Sequence, residues 1–387
     1  MIKLIKHAAV LISVVAALPA DAKIFTATSA TLSRIWKTAS AGDTIRLEGI
    51  FASTTLLQNK SVAKTLTLDA TKATFTGTLK LQSDNNISVI GGKYDSTGGP
   101  TAYGKGIVVY RSSNVSFDKL AVVASGTDGE TGISFEGVTN SRITNSTFTK
   151  VGVGVGVTGS SNITISGNKV VGATRDGYDV YNDHNVIVTN NSCSASKPQA
   201  GAHPDCVQLA STKGLPVESD IKVVDNIATG MTQGFTSFYG SATGSLRITI
   251  SGNIINGLMS QGVACYGCVD SFITGNFLSA QPGAAHFVNL NVIGGSNTVV
   301  SGNTLGSLTS AMYLPTDYAS AYRALTGTTY AMRTVSFASA GTELNSDMSM
   351  ANIAAVIPEP SEWALLLAGF GLVGFVSRRS TMRAVAA

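Results

Sequence analysis

A short unit that carries an asparagine recurs along the middle of this 387-residue chain, and it limits the fold more than any other feature. The clearest copy is NITISGNKV, which starts at Asn162. Aligning its copies places six asparagines in one column, at intervals of 23, 35, 27, 23 and 27 residues: Asn168, Asn191, Asn226, Asn253, Asn276 and Asn303. Weaker copies put Gly92, Leu120 and Ser146 in the same column. Repeats of this length indicate a solenoid in which each repeat contacts only its neighbours.

A second alternating segment separates these units. In both segments apolar and polar residues alternate with period two, which is the pattern of a β-strand. The second set comprises GIVVY from Gly106, GISFE from Gly132, GYDVY from Gly177, CVQLA from Cys206, GFTSF from Gly234, GVACY from Gly262 and HFVNL from His286. The chain is therefore predicted to be all-β, a parallel β-helix with structural asparagines. Asparagine tolerates a left-handed turn, and its amide can hydrogen-bond from coil to coil.

The segments that flank the repeats predict a cap at each end. Residues 31–39 predict a short amphipathic helix over the first coil, and the first strand is predicted to start at Gly42. Residues 311–356 break the repeat, with a helix predicted from Thr316 to Leu325 and a last strand from Met332 to Ala338.

Over residues 24–310 this pattern resembles the pectate-lyase-like superfamily of right-handed parallel β-helices. The resemblance implies that the coils are right-handed. It leaves the function open, because that superfamily includes lyases, hydrolases, epimerases, phage tailspikes and non-enzymatic surface proteins.

The N-terminus has the pattern of a secretory signal peptide. Lys3 and Lys6 precede an apolar run over residues 8–18, and Ala20-Asp21-Ala22 supplies the small residues of a cleavage site. The run is too short to span the ~30 Å of bilayer hydrocarbon. We therefore expect export by the Sec pathway and cleavage after Ala22 by signal peptidase.

The C-terminus carries three adjoining elements: Pro358-Glu359-Pro360, an apolar stretch from Ala364 to Val376, and Arg378-Arg379. Together they resemble the PEP-CTERM sorting signal of exosortase substrates in Gram-negative bacteria. The resemblance implies transient membrane insertion of an apolar helix, processing by an exosortase, and a final location at the cell surface or outside the cell. The predicted organisation is a signal peptide (1–22), a β-helix (23–310), a C-terminal cap and linker (311–357) and a sorting signal (358–387).

The distribution of charge argues against nucleic-acid binding. The net charge is +4, but the two terminal signals hold five of the 27 Lys and Arg residues and three of the 23 Asp and Glu residues. The rest of the chain is nearly neutral and shows no basic stripe of the kind that nucleic-acid binding requires. We expect a monomer whose partner outside the cell is an exopolysaccharide.

Polar side chains concentrate on one face of the predicted helix, midway along it. In the second strand set, alternation sends these residues inward: Ile107, Ile133, Val155, Tyr178, Val207, Phe235, Val263 and Phe287. One outward column is Val108, Ser134, Gly156, Asp179, Gln208, Thr236, Ala264 and Val288, and another is Lys105, Thr131, Val153, Asp176, Asp205, Gln233, Gln261 and Ala285. Because parallel neighbours lie ~4.8 Å apart, Asp176 is predicted to stack against Asp205 and Asp179 against Gln208. Tyr181 extends the patch.

The longest interval of the repeat falls at the same place. Its extra residues form SASKPQAGAHP from Ser194, which delivers His203 beside Asp205, and long loops on solenoids commonly line binding grooves. The predicted catalytic residues are Asp176, Asp179, Tyr181, His203 and Asp205, and the predicted substrate-binding residues are Arg175, His184 and Gln208.

This set of acids, bases and cations suits chemistry on an acidic polysaccharide. A uronate lyase or C5-epimerase must neutralise the substrate carboxylate, remove the C5 proton, and donate or return a proton. Arg175, Gln208 or an aspartate-bound Ca²⁺ would do the first, and His203 or Tyr181 would do the others. A hydrolase instead needs two carboxylates ~5–9.5 Å apart, which the three aspartates would supply. A non-catalytic glycan-binding or structural role in the extracellular matrix is the competing class.

The segment DGYDVYNDH resembles the Tyr-Gly-Phe-Asp-Pro-His element of alginate C5-epimerases. Asp179 occupies the position of that family's catalytic aspartate. Asp176 stands where the family has its tyrosine, and Tyr181 where it has its histidine. The resemblance therefore implies a catalytic role for Asp179 alone.

The four cysteines are interpreted as structural. Cys193 and Cys206 flank the long loop, and an exported chain allows disulfides. A bond between them would hold His203 in place and add ~2–3 kcal/mol of stability. Cys265 and Cys268 form a C-x-x-C pair without the second pair that a zinc site needs. No metal ligands are predicted, and Ca²⁺ is the one candidate cofactor.

Overall fold

The computed structural model describes residues 21–305, except 99–103, 127–128, 199–201, 213, 240–243, 282 and 285–287, together with short strands at 312–313, 338–339 and 342–343. The chain divides into two compact units, Met1–Gly341 and Thr342–Ala387. The predicted signal peptide up to residue 20, the helix at 316–325, most of the strand at 332–338 and the sorting signal at 358–387 lie outside the described residues. Within those residues, no helix is long and apolar enough to cross a membrane.

Each full coil of the first unit contributes one strand to each of three faces, and every strand pairs in parallel with its equivalents on the neighbouring coils. The predicted all-β parallel solenoid is therefore confirmed. Strands of the first face are β1 (Ile24–Ala27), β2 (Thr44–Phe51), β4 (Ser61–Phe75), β6 (Asn85–Ile90), β9 (Ser113–Asp118), β12 (Thr139–Thr144), β15 (Ser161–Ser166), β18 (His184–Thr189), β21 (Ser219–Val224), β24 (Thr249–Ser251), β27 (Phe272–Thr274) and β30 (Val299–Ser301).

The other two faces follow the same order along the chain. Strands of the second face, onto which β2 and β4 continue, are β7 (Lys93–Asp95), β10 (Ala121–Val123), β13 (Thr147–Thr149), β16 (Lys169–Val171), β19 (Ser192–Ser194), β22 (Ile227–Gly230), β25 (Ile254–Gly257), β28 (Phe277–Ala280) and β31 (Thr304–Leu305). Strands of the third face are β3 (Thr55–Gln58), β5 (Leu79–Gln82), β8 (Lys105–Tyr110), β11 (Thr131–Glu136), β14 (Val153–Thr158), β17 (Tyr178–Tyr181), β20 (Asp205–Ser211), β23 (Gln233–Tyr239), β26 (Gln261–Tyr266), β29 (Asn289–Ile293) and β32 (Met312–Tyr313). Two further short strands are β33 (Ala338–Ser339) and, in the second unit, β34 (Thr342–Glu343).

Side chains that point inward form a continuous core along the solenoid. On the third face the predicted inward residues are fully buried and pair in register from coil to coil: Ile107, Ile133, Val155, Tyr178, Val207, Phe235 and Val263. Near the N-terminal end, the rings of Phe51, Phe75 and Tyr94 stack with their centroids 4.8 Å apart. The alternation read from the sequence therefore sets which side chains enter the core.

The prediction for a late strand of this face is wrong. Strand β29 starts at Asn289, and Leu290 pairs with Val263 where Phe287 was expected. The buried residues of this segment occupy even-numbered positions, Val288, Leu290 and Val292, whereas the prediction assigned the odd-numbered Phe287 to the core. The two outward columns consequently continue to Asn289 and Asn291 rather than to Ala285 and Val288.

A buried ladder of side chains joins the coils at the corner between the first and second faces. Asn226 is a typical rung: its Oδ1 accepts the backbone N–H of Asn191 (2.9 Å), and its Nδ2 donates to the carbonyl of Val188 (2.9 Å) and to Oδ1 of Asn253 (3.1 Å). The same pattern runs through Ser146, Asn168, Asn191, Asn226, Asn253, Asn276 and Asn303, which we call the asparagine ladder. The predicted structural role of these asparagines is confirmed.

The ladder asparagines do not themselves adopt the left-handed conformation that was expected of them. Positive φ angles belong to the exposed residue just before each rung, as at Asn190 (56°), Asp225 (57°) and Gly252 (65°). The exposed residue takes the sharp turn, and the asparagine that follows is left with its amide in the buried corner.

The N-terminal cap forms as predicted, but it is preceded by a strand. Helix α1 spans Leu32–Thr38, and the indole of buried Trp36 donates to the carbonyl of Gln58 (3.2 Å). Strand β1 lies before the helix and pairs in parallel with β2. The expectation that the first strand starts at Gly42 is therefore wrong, because the four residues of β1 are too few to show an alternation.

Removing one rung should destabilise the solenoid strongly. In Asn226→Ala, the N–H of Asn191 and the carbonyl of Val188 lose their partner in a buried corner, so we expect the free energy of unfolding to fall by about 2–4 kcal/mol. The matched control is Asn185→Gly, which removes an exposed amide at a left-handed position and should cost less than about 1 kcal/mol. Chemical unfolding measures both. Equal losses of stability in the two variants would show that a buried ladder amide contributes no more than an exposed one.

Candidate functional site

Three buried aspartates come together on the outside of the third face, midway along the array. Asp179 lies in β17 and pairs with Gln208 of β20 on the next coil. Asp176 lies two residues before β17, and its Oδ1 accepts the backbone N–H of Asp205, the first residue of β20, at 2.9 Å. We call Asp176, Asp179 and Asp205 the aspartate cluster. Alternation along the strands and the parallel register together bring these residues to adjacent coils, as predicted.

Side-chain hydrogen bonds link the aspartate cluster to its neighbours. Nε2 of Gln208 donates to Oδ2 of Asp205 (3.0 Å), and the hydroxyl of Tyr181 donates to Oε1 of Gln208. The carboxyls of Asp176 and Asp179 also influence each other's pKa. An amide thus fixes the positions of one carboxyl and one phenol, which keeps both side chains in defined orientations.

Two basic side chains lie at the exposed edge of this network. Nη2 of Arg175 is 3.7 Å from Oδ2 of Asp176, and Nδ1 of His203 is 4.0 Å from Oδ2 of Asp205. The side chain of His203 is 62% exposed, whereas that of Asp205 is fully buried. The bases can therefore meet a ligand from solvent, and the acids lie beneath them.

Burial raises the pKa of every acid in the network. It is the main cause for Asp176, and for Asp179 and Asp205 it is reinforced by the negative charge of Asp176. Burial and the charges of Asp179 and Asp176 also raise the pKa of the Tyr181 phenol above its ordinary range. The phenol consequently keeps its proton at neutral pH, and the cluster favours protonated carboxyls.

Two other buried aspartates provide a comparison within the same fold. Asp183 accepts the backbone N–H groups of Ser160 (2.5 Å) and Tyr181 (3.0 Å), one on each carboxyl oxygen. Asp84 does the same with Lys60 and Gln82. Burial raises the pKa of each to about 7. Both carboxyls are saturated by backbone donors of a corner, so their role is to close turns.

The aspartate cluster is not saturated in this way. Oδ1 of Asp179 and Oδ1 of Asp205 are buried and have no hydrogen-bond partner within the protein. The same holds for Oγ1 of Thr174, two residues before Asp176 in sequence, and for Oε1 of Gln233, which pairs with Asp205 in register. Buried polar atoms are nearly always paired in proteins, so a group of unpaired polar atoms on adjacent coils favours a place where a ligand supplies the missing partners.

One predicted site residue lies elsewhere. His184 is an exposed residue at the start of β18 on the first face, where it pairs with Ser161 and Ser219 and its charge acts on Asp220. The prediction that it joins the aspartate cluster is wrong, because the turn at Asn182 and Asp183 carries the chain around a corner between Tyr181 and His184.

The residues present do not fit the candidate Ca²⁺ ion. Across the part of the chain that the structure describes, no three His, Cys, Asp or Glu side chains are arranged to hold a metal ion. The aspartate cluster also favours protonated carboxyls, because burial raises their pKa, whereas a calcium site needs ionised ones.

A disulfide lies directly behind the site. It joins Cys193 of β19 to Cys206 of β20, with the two Cα atoms 5.5 Å apart, and so ties the second face to the third across the ends of the long loop. This loop carries His203, and Asp205 is the neighbour of Cys206 in sequence. Cys265 and Cys268 form a second disulfide.

Sequence reasoning missed three polar residues of the site. Gln233 is buried in register with Asp205, and Thr236, in register with Gln208, is buried and donates its hydroxyl to the carbonyl of Val207 (3.4 Å). Both occupy the outward columns, so the alternation could have included them. Thr174 lies in a turn outside any repeat, and no sequence pattern marks it.

Comparison with known proteins supports the architecture. Residues 81–278 match a protein family described as the right-handed beta helix region. A search of the curated proteins gives no match.

Three similar solved structures illustrate the range of this fold. An alginate lyase from Paenibacillus sp. str. FPU-7 has 16% sequence identity and a TM-score of 0.53, with 75% of this chain and 97% of that chain covered. The surface protein and adhesin PfbA of Streptococcus pneumoniae has 14% identity, a TM-score of 0.52, and coverage of 71% and 87%. A tailspike protein of E. coli bacteriophage HK620, in complex with a pentasaccharide, has 12% identity, a TM-score of 0.51, and coverage of 80% and 60%. At such identities the similarity shows the fold alone.

Neutralising one aspartate of the cluster should stabilise the protein at high pH. The pKa of Asp179 is higher in the folded chain than in the unfolded chain, where it is about 3.9. Its contribution to stability is therefore full below about pH 4 and decreases as the pH rises above that value. We expect Asp179→Asn to be more stable than the wild type at pH 8 and to gain little at pH 4, as measured by thermal unfolding.

The matched control is Asp183→Asn at the neighbouring corner. Burial raises the pKa of Asp183 to about 7, so this variant has a pH dependence of the same sign, but its side-chain NH₂ would face a backbone N–H that the carboxyl accepts in the wild type. We therefore expect Asp183→Asn to be less stable than Asp179→Asn by about 1–3 kcal/mol at both pH values. If Asp179→Asn loses as much stability at pH 8 as Asp183→Asn, the carboxyl of Asp179 is structural.

Proposed function

This chain belongs to the right-handed β-helix family, and we propose that it acts on an acidic extracellular polysaccharide through the aspartate cluster on its third face. The reaction class that the site supports best is that of a polyuronide lyase or C5-epimerase. The observation that carries this proposal is the contrast between two kinds of buried aspartate: Asp84 and Asp183 are saturated by backbone donors, whereas Asp179 and Asp205 keep an unpaired oxygen.

The exposed and buried halves of the site suit different steps of such a reaction. Arg175 and the protonated carboxyls of Asp176 and Asp179 would bind the substrate carboxylate, which lowers the pKa of the adjacent C5 proton. His203, exposed and 4.0 Å from Asp205, would remove that proton as a general base. The burial that keeps Tyr181 protonated makes its phenol the proton donor.

The two reactions differ only in where the electron pair of the C5–H bond goes. In a lyase, that pair forms a C4=C5 double bond as the C4–O4 bond breaks, and the leaving oxygen takes the phenol proton. In an epimerase, the pair stays at C5 and accepts a proton on the opposite side of the ring, so no bond of the chain breaks. With Tyr181 as the proton donor and His203 as the proton acceptor, the site would serve either outcome.

Hydrolysis is less well supported. An inverting or retaining hydrolase works with two carboxyl groups held ~5–9.5 Å apart. Burial raises the pKa of all three carboxyls of the aspartate cluster, whereas both mechanisms need one of the two carboxyls in its ionised form.

A non-catalytic glycan-binding role is the second candidate. An aromatic pair on the same face, Phe238 and Tyr266, favours it because such rings stack on sugars without chemistry. The similar solved structures include an adhesin and a tailspike bound to a pentasaccharide as well as an alginate lyase, so the fold accommodates both roles.

Export and sorting are part of the proposal. The N-terminal pattern of residues 1–22 and the PEP-CTERM-like segment of residues 358–387 would deliver the β-helix to the cell surface or beyond, after processing by signal peptidase and an exosortase. A polysaccharide substrate outside the cell and the two disulfides of the chain agree with an oxidising compartment.

Catalysis should depend on one acid and one base of the site. The purified full chain would be incubated with alginates, pectins and neutral glycans, with and without Ca²⁺. Ultraviolet absorbance reports unsaturated uronates, reducing ends report hydrolysis, and exchange of the C5 proton reports epimerisation. We expect Asp179→Asn and His203→Ala each to lower turnover by about 100-fold or more.

The control variant is His184→Ala, since this histidine is exposed on the first face. It should retain wild-type turnover. Full activity in Asp179→Asn would refute the assignment of the site. If the wild type gives no signal in any of the three assays but still binds glycans, the non-catalytic role would be established.

Signal cleavage should depend on a small residue at position 22. In a Gram-negative host we expect the intact mass of the exported chain to correspond to an N-terminus at Lys23. Ala22→Leu should block cleavage, because the site requires small side chains, whereas Ala17→Leu within the apolar run should leave it unchanged. A mature N-terminus elsewhere would contradict the predicted boundary.

A further inference from the structure

The third face is chemically asymmetric about the aspartate cluster. Beyond Asp205, toward the C-terminal coils, its outward positions hold amides, small side chains, aromatic rings and a terminal isoleucine: Gln208, Ala210, Gln233, Thr236, Phe238, Gln261, Ala264, Tyr266, Asn289, Asn291 and Ile293. Among these positions, all of which the structure describes, none carries a charge. We call this region the amide surface.

Two rings on the amide surface form an aromatic platform. The centroids of Phe238 and Tyr266 are 5.2 Å apart and their planes meet at 61°. The hydroxyl of Tyr266 donates to Oε1 of Gln261 at 3.3 Å, which fixes the orientation of that ring. Both rings are half-buried, so they present stable apolar surface to solvent instead of filling the core.

The platform lies at a distance from the cluster that suits a polysaccharide. Tyr181 pairs with Ala210 and Ala210 with Phe238, so the platform starts two coils, or ~10 Å, beyond the phenol. The coil spacing is close to the length of one pyranose residue in a 1,4-linked chain. Because the side chain of Ala210 is small, the surface between Tyr181 and the platform is open, and one sugar residue would lie there.

An unpaired amide continues the surface toward the cluster. Gln233 is buried, and its Oε1 has no partner within the protein. It lies in register with Asp205. An amide oxygen accepts hydrogen bonds and gives none, so this atom is suited to a sugar hydroxyl and not to a carboxylate.

The opposite end of the same face is charged. There the ring of Tyr110 is flanked by Lys80, with Nζ 5.9 Å from the ring centroid, and by Arg111, with Cζ 4.9 Å away. On the next coil, Glu136 pairs with Tyr110 in register and accepts the hydroxyl of Ser134. Charged sugar substituents therefore have counter-charges at this end and none among the described outward positions of the amide surface.

We propose that the amide surface binds uncharged pyranose residues of the polysaccharide, so that neutral sugars follow the reacting uronate on the C-terminal side. An ionised carboxylate placed there would lose its water without gaining a cation, which is costly. The C–H face of a neutral sugar gains contact with an aromatic ring, and its hydroxyls gain Gln233 and Gln261. This inference rests on the proposed function for the position of the uronate, but the binding surface itself does not require turnover.

The test measures binding to the full chain carrying Asp179→Asn, so that no substrate is consumed. The probes are an oligosaccharide in which one glucuronate is flanked by glucose residues, and a homo-oligomer of uronates of equal length. Isothermal titration calorimetry should show about tenfold tighter binding of the mixed oligomer. Equal or tighter binding of the homo-oligomer would overturn the proposal.

Variants of the platform identify the surface. Phe238→Ala and Tyr266→Ala should each weaken binding of the mixed oligomer by about five- to tenfold. Phe238→Leu keeps apolar volume and removes the ring, so it gives the same answer if the alanine variant fails to fold. The matched control is Phe272→Ala, a 51% exposed phenylalanine on the first face, which should bind as before. Unchanged binding in both platform variants, or self-association that Phe238→Ala abolishes, would overturn the proposal.

The two proposals fail in different ways. If the wild type shows no turnover and the platform variants still lose binding, the amide surface stands and the catalytic assignment falls. If Asp179→Asn abolishes turnover while the platform variants bind normally, the catalytic assignment stands and the amide surface falls.

Discussion

Parallel coils of a solenoid are spaced by the backbone hydrogen bonds of their strands, and polar groups in the buried corners between those strands must be hydrogen-bonded from coil to coil as well. Here that requirement is met by the asparagine ladder, in which each amide accepts a backbone N–H of the coil before and donates to the coil after, as Asn226 does between Asn191 and Asn253. Because the bonds repeat without a shift in register, side chains at equivalent positions stay stacked over the whole array. Columns on the third face, and with them the aspartate cluster, exist only because this spacing is kept.

Much of the fold could be predicted because its two main signals are local. The asparagine column and the period-two alternation gave the parallel solenoid and the inward residues of the third face up to Val263. Prediction failed where a signal was short or ambiguous. Strand β1 has four residues and no visible alternation. Near His286, either of two alternating sets of residues could be assigned to the core from the sequence, and the structure buries the set that contains Leu290 and Val292. The left-handed residues were misplaced by one position, since asparagine suits both a turn and a buried rung.

The candidate site was predictable to the extent that it follows from stacking. Alternation and register alone brought Asp179 beside Gln208. His184 was misassigned because a corner separates it from Tyr181, although only two residues lie between them in sequence. The sequence could not show which carboxyls lack partners. That distinction depends on whether backbone N–H groups converge on a given oxygen, as they do at Asp183 and do not at Asp179.

A cluster of buried carboxyls with unpaired oxygens lowers the stability of the protein, and the position of the cluster within the fold limits that loss. In a solenoid, stability is close to a sum of local terms between neighbouring coils, so an unfavourable patch must be offset by the coils that contain it. The coils of Asp176 and Asp205 carry rungs of the asparagine ladder at Asn168, Asn191 and Asn226, and the disulfide from Cys193 to Cys206 joins two faces within them. A central position also leaves several coils of the same face on each side of the cluster. A polymer lying along that face could contact both the charged end and the amide surface while its reacting residue sits at the cluster, an arrangement that neither end of the array would allow.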